Sequence, residues 1–283
     1  MDIVSVAPSR QTRTTVWLAL LVLAALGWAV LIQQNGNMGS ATQALPQTPG
    51  MSQGMSGMDG MSASNPAPVD THPAPTSILL YLPIWVSMMV AMMFPSVAPM
   101  VMLFATLSRN RRAAGQPSTP TWVFLAGYLA VWSLVGVLAY LLSLALPAVS
   151  MMAPGLRIDY PLAAGLVLIF AGLYQLTPLK QVCLRHCRSP MSVILSGWRD
   201  GNLGSFRMGF EHGVVCLGCS WGLMLVLFVV GLMNLVGMVI LSAVIFVEKV
   251  VPHGMFIGKL TALALILFGL VTLLMPVLRP VTG

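Results

Sequence analysis

Residues 208–230 read MGFEHGVVCLGCSWGLMLVLFVV. After Glu211 this stretch carries no formal charge and is long enough to cross a hydrocarbon layer about 30 Å thick, which takes roughly 20 residues of helix. A helix in that environment closes all its backbone hydrogen bonds internally. Its side chains then show what is unusual. At 100° per residue His212, Cys216 and Cys219 fall at i, i+4 and i+7, on one face. An imidazole and two thiols at membrane depth are costly and point to function rather than packing.

The rest of the chain has the same character. Of its 283 residues 57% are hydrophobic and only 7% charged, with a mean hydropathy of +0.88. Soluble domains carry about a quarter charged residues, so the composition predicts an all-α polytopic membrane bundle whose main partner is the lipid bilayer. Apolar runs give seven candidate spans, over 16–32, 78–107, 121–146, 161–178, 208–230, 233–248 and 258–278. Residues 1–33 read as a signal anchor or signal peptide, because Arg10 and Arg13 precede the apolar core; an uncleaved anchor fits better, since the small-residue cleavage site is poor. Residues 34–77 read as a linker, and 78–283 as a six-helix membrane domain.

The net charge of +7 does not indicate nucleic acid, because the basic residues sit in short loops between apolar runs and act as topology signals. With the N-terminus inside, Arg10, Arg13, Arg109, Arg111, Arg112, Lys180, Arg185, Arg188, Arg199, Arg207, Lys249 and Lys259 fall on the cytoplasmic side. Of the 14 basic residues only Arg157 and Arg279 then lie outside, and residues 33–77 are outside as well.

That outer stretch lacks Lys and Arg and is rich in Gly, Ser, Pro, Ala and Met, a composition that cannot bury a core. Within it Met51, Met55, Met58 and Met61 place four thioethers in eleven residues. Thioethers are soft donors that suit Cu(I). The second span repeats the theme: Met88 and Met92, and Met89 and Met93, form two adjacent rows one turn apart, followed by Pro95, which is expected to kink the helix and free the Ala91 carbonyl. Methionine also packs adaptably in cores, and sequence alone leaves that choice open.

Four cysteines in two pairs, Cys183/Cys187 and Cys216/Cys219, are too few for a disulfide scaffold and suit paired ligands or a redox couple. Cys183-Leu-Arg-His186-Cys187 puts two thiols and an imidazole within about one turn at the inner face, where Lys180, Arg185 and Arg188 favour thiolate. A short amphipathic surface helix explains the same segment equally well. Glu248-Lys249 closes the sixth span; such a pair usually satisfies itself or anchors in headgroups, and pairing of Lys249 or His253 with Glu211 stays open.

Four segments carry a family resemblance: MMVAMMFPSVAPM (88–100), GLYQLTPLKQVCLRHCRSP (172–190), GFEHGVVCLGCSWGLM (209–224) and EKVVP (248–252). The chain resembles an uncharacterised bacterial family, a domain of unknown function described as predicted metal-binding integral membrane proteins. The resemblance implies a fold in the bacterial inner (plasma) membrane and metal binding, with Cys183, Cys187, His212, Cys216 and Cys219 on matched positions. That family often carries a third thiol directly after the second in the membrane motif; here the residue is Ser220.

The expectation is a membrane protein handling a soft metal, Cu(I) ahead of zinc. Met51, Met55, Met58 and Met61 would collect it, Met88, Met89, Met92 and Met93 pass it on, His212, Cys216 and Cys219 hold it, and Cys183, His186 and Cys187 receive it. A copper chaperone or copper enzyme would be the partner. No nucleotide-binding loop is present to set a direction. The competing readings are a membrane thiol–disulfide oxidoreductase exchanging electrons with quinone, a copper-dependent oxidase or its assembly factor, and a purely structural subunit.

Overall fold

The computed structural model describes residues 10–43, 77–152, 160–189, 197–231 and 234–278. The outer methionines Met51, Met55, Met58 and Met61, with Arg157 and Arg279, lie outside the described residues. Among the described residues the protein is all-helical: α1 (Arg10–Gln43), α2 (Ile78–Ala113), α3 (Thr121–Met152), α4 (Tyr160–Leu176), α5 (Pro178–Arg188), α6 (Gly201–Val230), α7 (Leu235–Val250) and α8 (Gly254–Leu278).

Five of these, α1, α2, α3, α6 and α8, are long and apolar enough to cross a membrane, and the bent pair α4–α5 makes a sixth if counted as one span. The seventh expected span, over 233–248, becomes α7. Its 16 residues extend only about 24 Å at 1.5 Å per residue, short of a full hydrocarbon layer. Leu134, Leu138, Leu141 and Leu142 on α3, and Leu263, Leu267, Leu270 and Leu274 on α8, lie on the outside of the bundle. Contiguous apolar surface of this kind suits hydrocarbon, not water.

Local chemistry sets the two breaks that matter. Thr177 caps α5 by accepting from the Lys180 N–H at 3.4 Å, and Pro178 occupies the first turn, where a missing N–H costs nothing. The chain bends by 62° there, which turns α5 across α6 instead of continuing α4. Gly231, at φ 101°, ends α6 in a conformation that side-chain-bearing residues rarely adopt, and Asn234 then caps α7 by accepting from Gly237 N–H at 3.0 Å. By contrast, α2 runs on as one helix through Pro83, Pro95 and Pro99, so Pro95 does not interrupt it.

α6 sits at the centre, packed on α3, α4, α5 and α7, while α2 packs on α1, α3 and α7. The α3–α6 crossing is the tightest. A Cβ added at Gly127 would lie 2.1 Å from the Phe206 carbonyl oxygen, and one at Gly209 only 2.0 Å from that of Phe124. Small residues let helix backbones approach this closely in bundles of this type. The approach carries Phe124 and Tyr128 of α3 onto the face of α6 that bears His212 and Cys216.

Gly209→Val is therefore expected to destabilise the purified protein by about 1–3 kcal/mol or more through overpacking, read as a lower thermal midpoint in detergent. Gly197→Ala, where an added Cβ meets nothing within 4 Å, should leave the midpoint unchanged.

Candidate functional site

α6 has 30 residues, and Cys216 lies 15 residues from its start, about 22 Å along a 45 Å helix. The thiol is thus at the middle of the central helix. Cys216 is 1% exposed and Cys219 3%. The bend before α5 delivers a third thiol: Cys187 Sγ lies 3.7 Å from Cys219 Sγ. Cys219 donates to the Cys216 carbonyl at 3.1 Å. Cys183, one turn earlier on α5, packs against the backbone of α6, where its sulfur would lie 2.8 Å from a Cβ on Gly218. Tyr174 of α4 donates to the neighbouring Gly218 carbonyl.

Ser220, directly after Cys219, carries a hydroxyl and not a thiol. Its hydroxyl donates to the Cys216 carbonyl at 2.5 Å, so it serves the backbone. The third sulfur at this depth comes from α5 instead.

Charge completes the cluster. Lys249 of α7, 8% exposed, donates to Cys216 Sγ at 3.0 Å. The Tyr128 hydroxyl lies 3.2 Å from the same sulfur. Glu248 does not pair with its neighbour. It binds Lys180 of α5 at 2.7 Å, with both side chains 2% exposed, and accepts from Gln175 of α4 at 3.2 Å. Arg188 donates to the Glu248 carbonyl at 3.2 Å and to that of Pro252 at 2.7 Å. One pairing left open by the sequence closes here, and two expectations change. Glu211 pairs with Arg207 at 3.0 Å and Arg199 at 3.3 Å, not with Lys249. Lys180 and Arg188 are committed to α7 and do not serve the α5 thiols. Lys180 and Lys249 are interior charges, so they cannot report topology as loop charges do. Nothing in the sequence marked Tyr128, a lone phenol in an apolar run; the segment EKVVP did mark Lys249, but not its partner.

The other expected ligands are placed as follows. His212 is 6% exposed, one turn before Cys216, with its ring centroid 6.2 Å from that of Phe124 and 6.1 Å from that of Tyr128. His186 is exposed, its Nδ1 3.4 Å from the Val182 carbonyl oxygen, and it lines a cleft beside α6. Met88 is 5% exposed, and Met89, Met92 and Met93 are fully buried. They lie in the core around α2, where Ser96 lies 4.0 Å from Met93 Sδ and Ser242 of α7 donates to the Met92 carbonyl at 3.3 Å. Among the described residues, no three or more His, Cys, Asp or Glu side chains stand around one point as a finished metal sphere. The site is a thiol cluster beside an ammonium, in which Cys216 turns towards Lys249 and Tyr128 while Cys187 and Cys219 face each other.

A family model described as copper chaperone, PpoB2, matches residues 82–272. The chain belongs to this copper chaperone family. The match runs from α2 into α8 and includes all four cysteines, the buried Lys180–Glu248 pair and Lys249, whereas Met51–Met61 precede it. No curated protein and no solved structure matches the chain. Copper handling is thus a property of the family, and the thiol cluster lies inside the matched region.

The spacing of the sulfurs can be checked directly. Mild oxidation of the purified protein with diamide should join Cys187 to Cys219, across two helices, as seen by peptide mass spectrometry. A Cys216–Cys219 disulfide as the main product would contradict this geometry, since i, i+3 thiols of a regular helix are poorly placed to bond.

Proposed function

We propose that the protein holds one Cu(I) ion between Cys187, Cys216 and Cys219 and hands it on by ligand exchange. The observation that carries this is the meeting of two helices at their thiols: half-buried Cys187 lies 3.7 Å from buried Cys219, and Cys216, one turn before on α6, takes the ammonium of Lys249. Thiolates select soft ions such as Cu(I), although they also suit zinc. Structural zinc sites take four ligands in a closed tetrahedron, whereas this reading uses three thiols. Membership of a copper chaperone family favours copper further. A Cu(I) ion on three thiolates carries two net negative charges, one of which Lys249 at 3.0 Å from Cys216 offsets in an interior where an unpaired ion is costly.

In this account the protein spans a bacterial inner membrane with its N-terminus in the cytoplasm, and the exposed arginines of the loops set that orientation. The outer thioethers Met51, Met55, Met58 and Met61 capture the ion. The rows Met88/Met92 and Met89/Met93 offer weak donors on the way to the thiols. A copper enzyme or a second copper carrier receives it. One observation favours a second reading: Cys187 and Cys219 at 3.7 Å are also placed to form a disulfide, as a thiol–disulfide couple would need.

Anaerobic titration against a chromophoric Cu(I) chelator tests the proposal. Substituting Cys187, Cys216 or Cys219 by Ser should weaken the tight equivalent by more than about 100-fold, because even groups behind the ligands matter at the 10–100-fold level. Lys249→Met should cost about 10–100-fold on the same basis. Cys183→Ser should leave tight binding in place. Unchanged affinity in the triple Ser variant would refute the assignment, and a disulfide that cycles in cells with no copper bound would favour the second reading.

A further inference from the structure

A cleft of about 230 Å³ opens beside α6 and is lined by Met100, His186, Met208, Glu211 and His212, among others. It is separate from the thiol cluster, yet His212 belongs to the face of α6 that carries Cys216 one turn on, about 6 Å along the axis. His212 is 6% exposed, Met208 6% and Met100 3%. Among the described residues the His212 ring meets Phe124 and Tyr128 and finds no hydrogen-bond partner. The ring lines the cleft, so its nitrogens are open to a ligand there.

The donors available in the cleft are selective. Glu211, the one carboxylate on its wall, is held by Arg207 at 3.0 Å and Arg199 at 3.3 Å. A hard ion such as Mg²⁺ or Ca²⁺ would need that carboxylate free. The remaining donors are two imidazoles and two thioethers, neutral and soft to borderline, a set that favours Cu(I). The volume is several times the ~30 Å³ a water molecule occupies in the liquid. It leaves space for an ion and for an incoming donor side chain beside it, which associative ligand exchange requires.

We propose that this cleft is a second Cu(I) site, a port at which the ion enters or leaves the thiol cluster, with Met100, Met208, His186 and His212 as its donors. The proposal rests on the thiol reading for where the ion goes next, but binding in the cleft stands apart from it. His186 and Cys187, adjacent in sequence, then serve the two sites separately: the exposed imidazole at the mouth, the thiol inside. In the transfer the bonds from copper to imidazole and thioether break and a copper–sulfur bond forms. The metal stays Cu(I), and any thiol that becomes a ligand gives its proton to water in the cleft.

The test is anaerobic Cu(I) titration of the full-length protein in detergent against a chromophoric chelator. With Met51, Met55, Met58 and Met61 changed to Leu in every sample, so that the outer thioethers hold no ion, the otherwise wild-type chain should bind two equivalents, one tight and one weaker. The triple variant Cys187→Ser, Cys216→Ser, Cys219→Ser should keep the weaker equivalent, and adding Met100→Leu and Met208→Leu should abolish it. Methionine-to-leucine changes conserve volume and are well tolerated in cores. His186→Asn, at an exposed position, should weaken that equivalent alone and provides a variant with no folding risk in the core. If the triple Ser variant binds no Cu(I) while the otherwise wild-type chain binds one equivalent, the port is wrong and the thiol site stands. If the Met100→Leu, Met208→Leu, His186→Asn variant of the otherwise native chain keeps both equivalents, the assigned donors are wrong.

Discussion

The ammonium of Lys249, 3.0 Å from Cys216 Sγ, is the interaction on which the interior is organised. A buried cation without a counter-charge costs several kcal/mol even after relaxation. The nearest carboxylate in sequence, Glu248, is taken by Lys180 at 2.7 Å. Among the described residues Lys249 faces no carboxylate, so the sulfur of Cys216 is its partner. Glu248 and Lys249 therefore face different helices: Glu248 ties α7 to α5, and Lys249 ties α7 to α6. The short α7 thus acts as a clamp between the two elements that supply the thiols.

This arrangement explains why a helix too short to span a hydrocarbon layer ends inside the protein. Polar groups at that depth are tolerated where they are buried in protein, and the end of α7 offers two ions to two neighbours. Arg188 extends the clamp by donating to the carbonyls of Glu248 and Pro252. The α3–α6 crossing at Gly127 and Gly209 supplies the remaining wall, because only backbones in near contact bring the Tyr128 hydroxyl to 3.2 Å from Cys216 Sγ.

Much of this frame was legible in the sequence, for physical reasons that can be named. Hydropathy identifies the long helices because lipid demands unbroken apolar runs. Helical periodicity puts His212, Cys216 and Cys219 on one face, and all three are buried together. What local pattern cannot show is which distant groups meet. The turn at Thr177–Pro178 decides that Cys187 reaches Cys219, and no spacing rule encodes a 62° bend. Lys180 and Lys249 read as loop charges because hydropathy scores a charge the same whether it is paired inside or solvated outside. Tyr128 was invisible for the opposite reason: a phenol in an apolar run looks like packing until a sulfur is found beside it. The Met88–Met93 rows are buried as packing would require, and a ligand role would place them in the same surroundings.

Ser220 carries a hydroxyl, so α6 supplies two thiols and α5 a third. Three thiols on one helix would crowd successive faces, whereas two from α6 and one from α5 make the cluster depend on how two elements are docked. Anything that moves α5 then changes the sulfur set, which gives a carrier a structural means of release. The most direct measurement is the X-ray absorption edge and fine structure of the purified protein loaded with one equivalent of Cu(I). The account predicts a first shell of sulfur alone, lost when Cys187, Cys216 and Cys219 are replaced by Ser. A first shell of nitrogen or oxygen at one equivalent would contradict it.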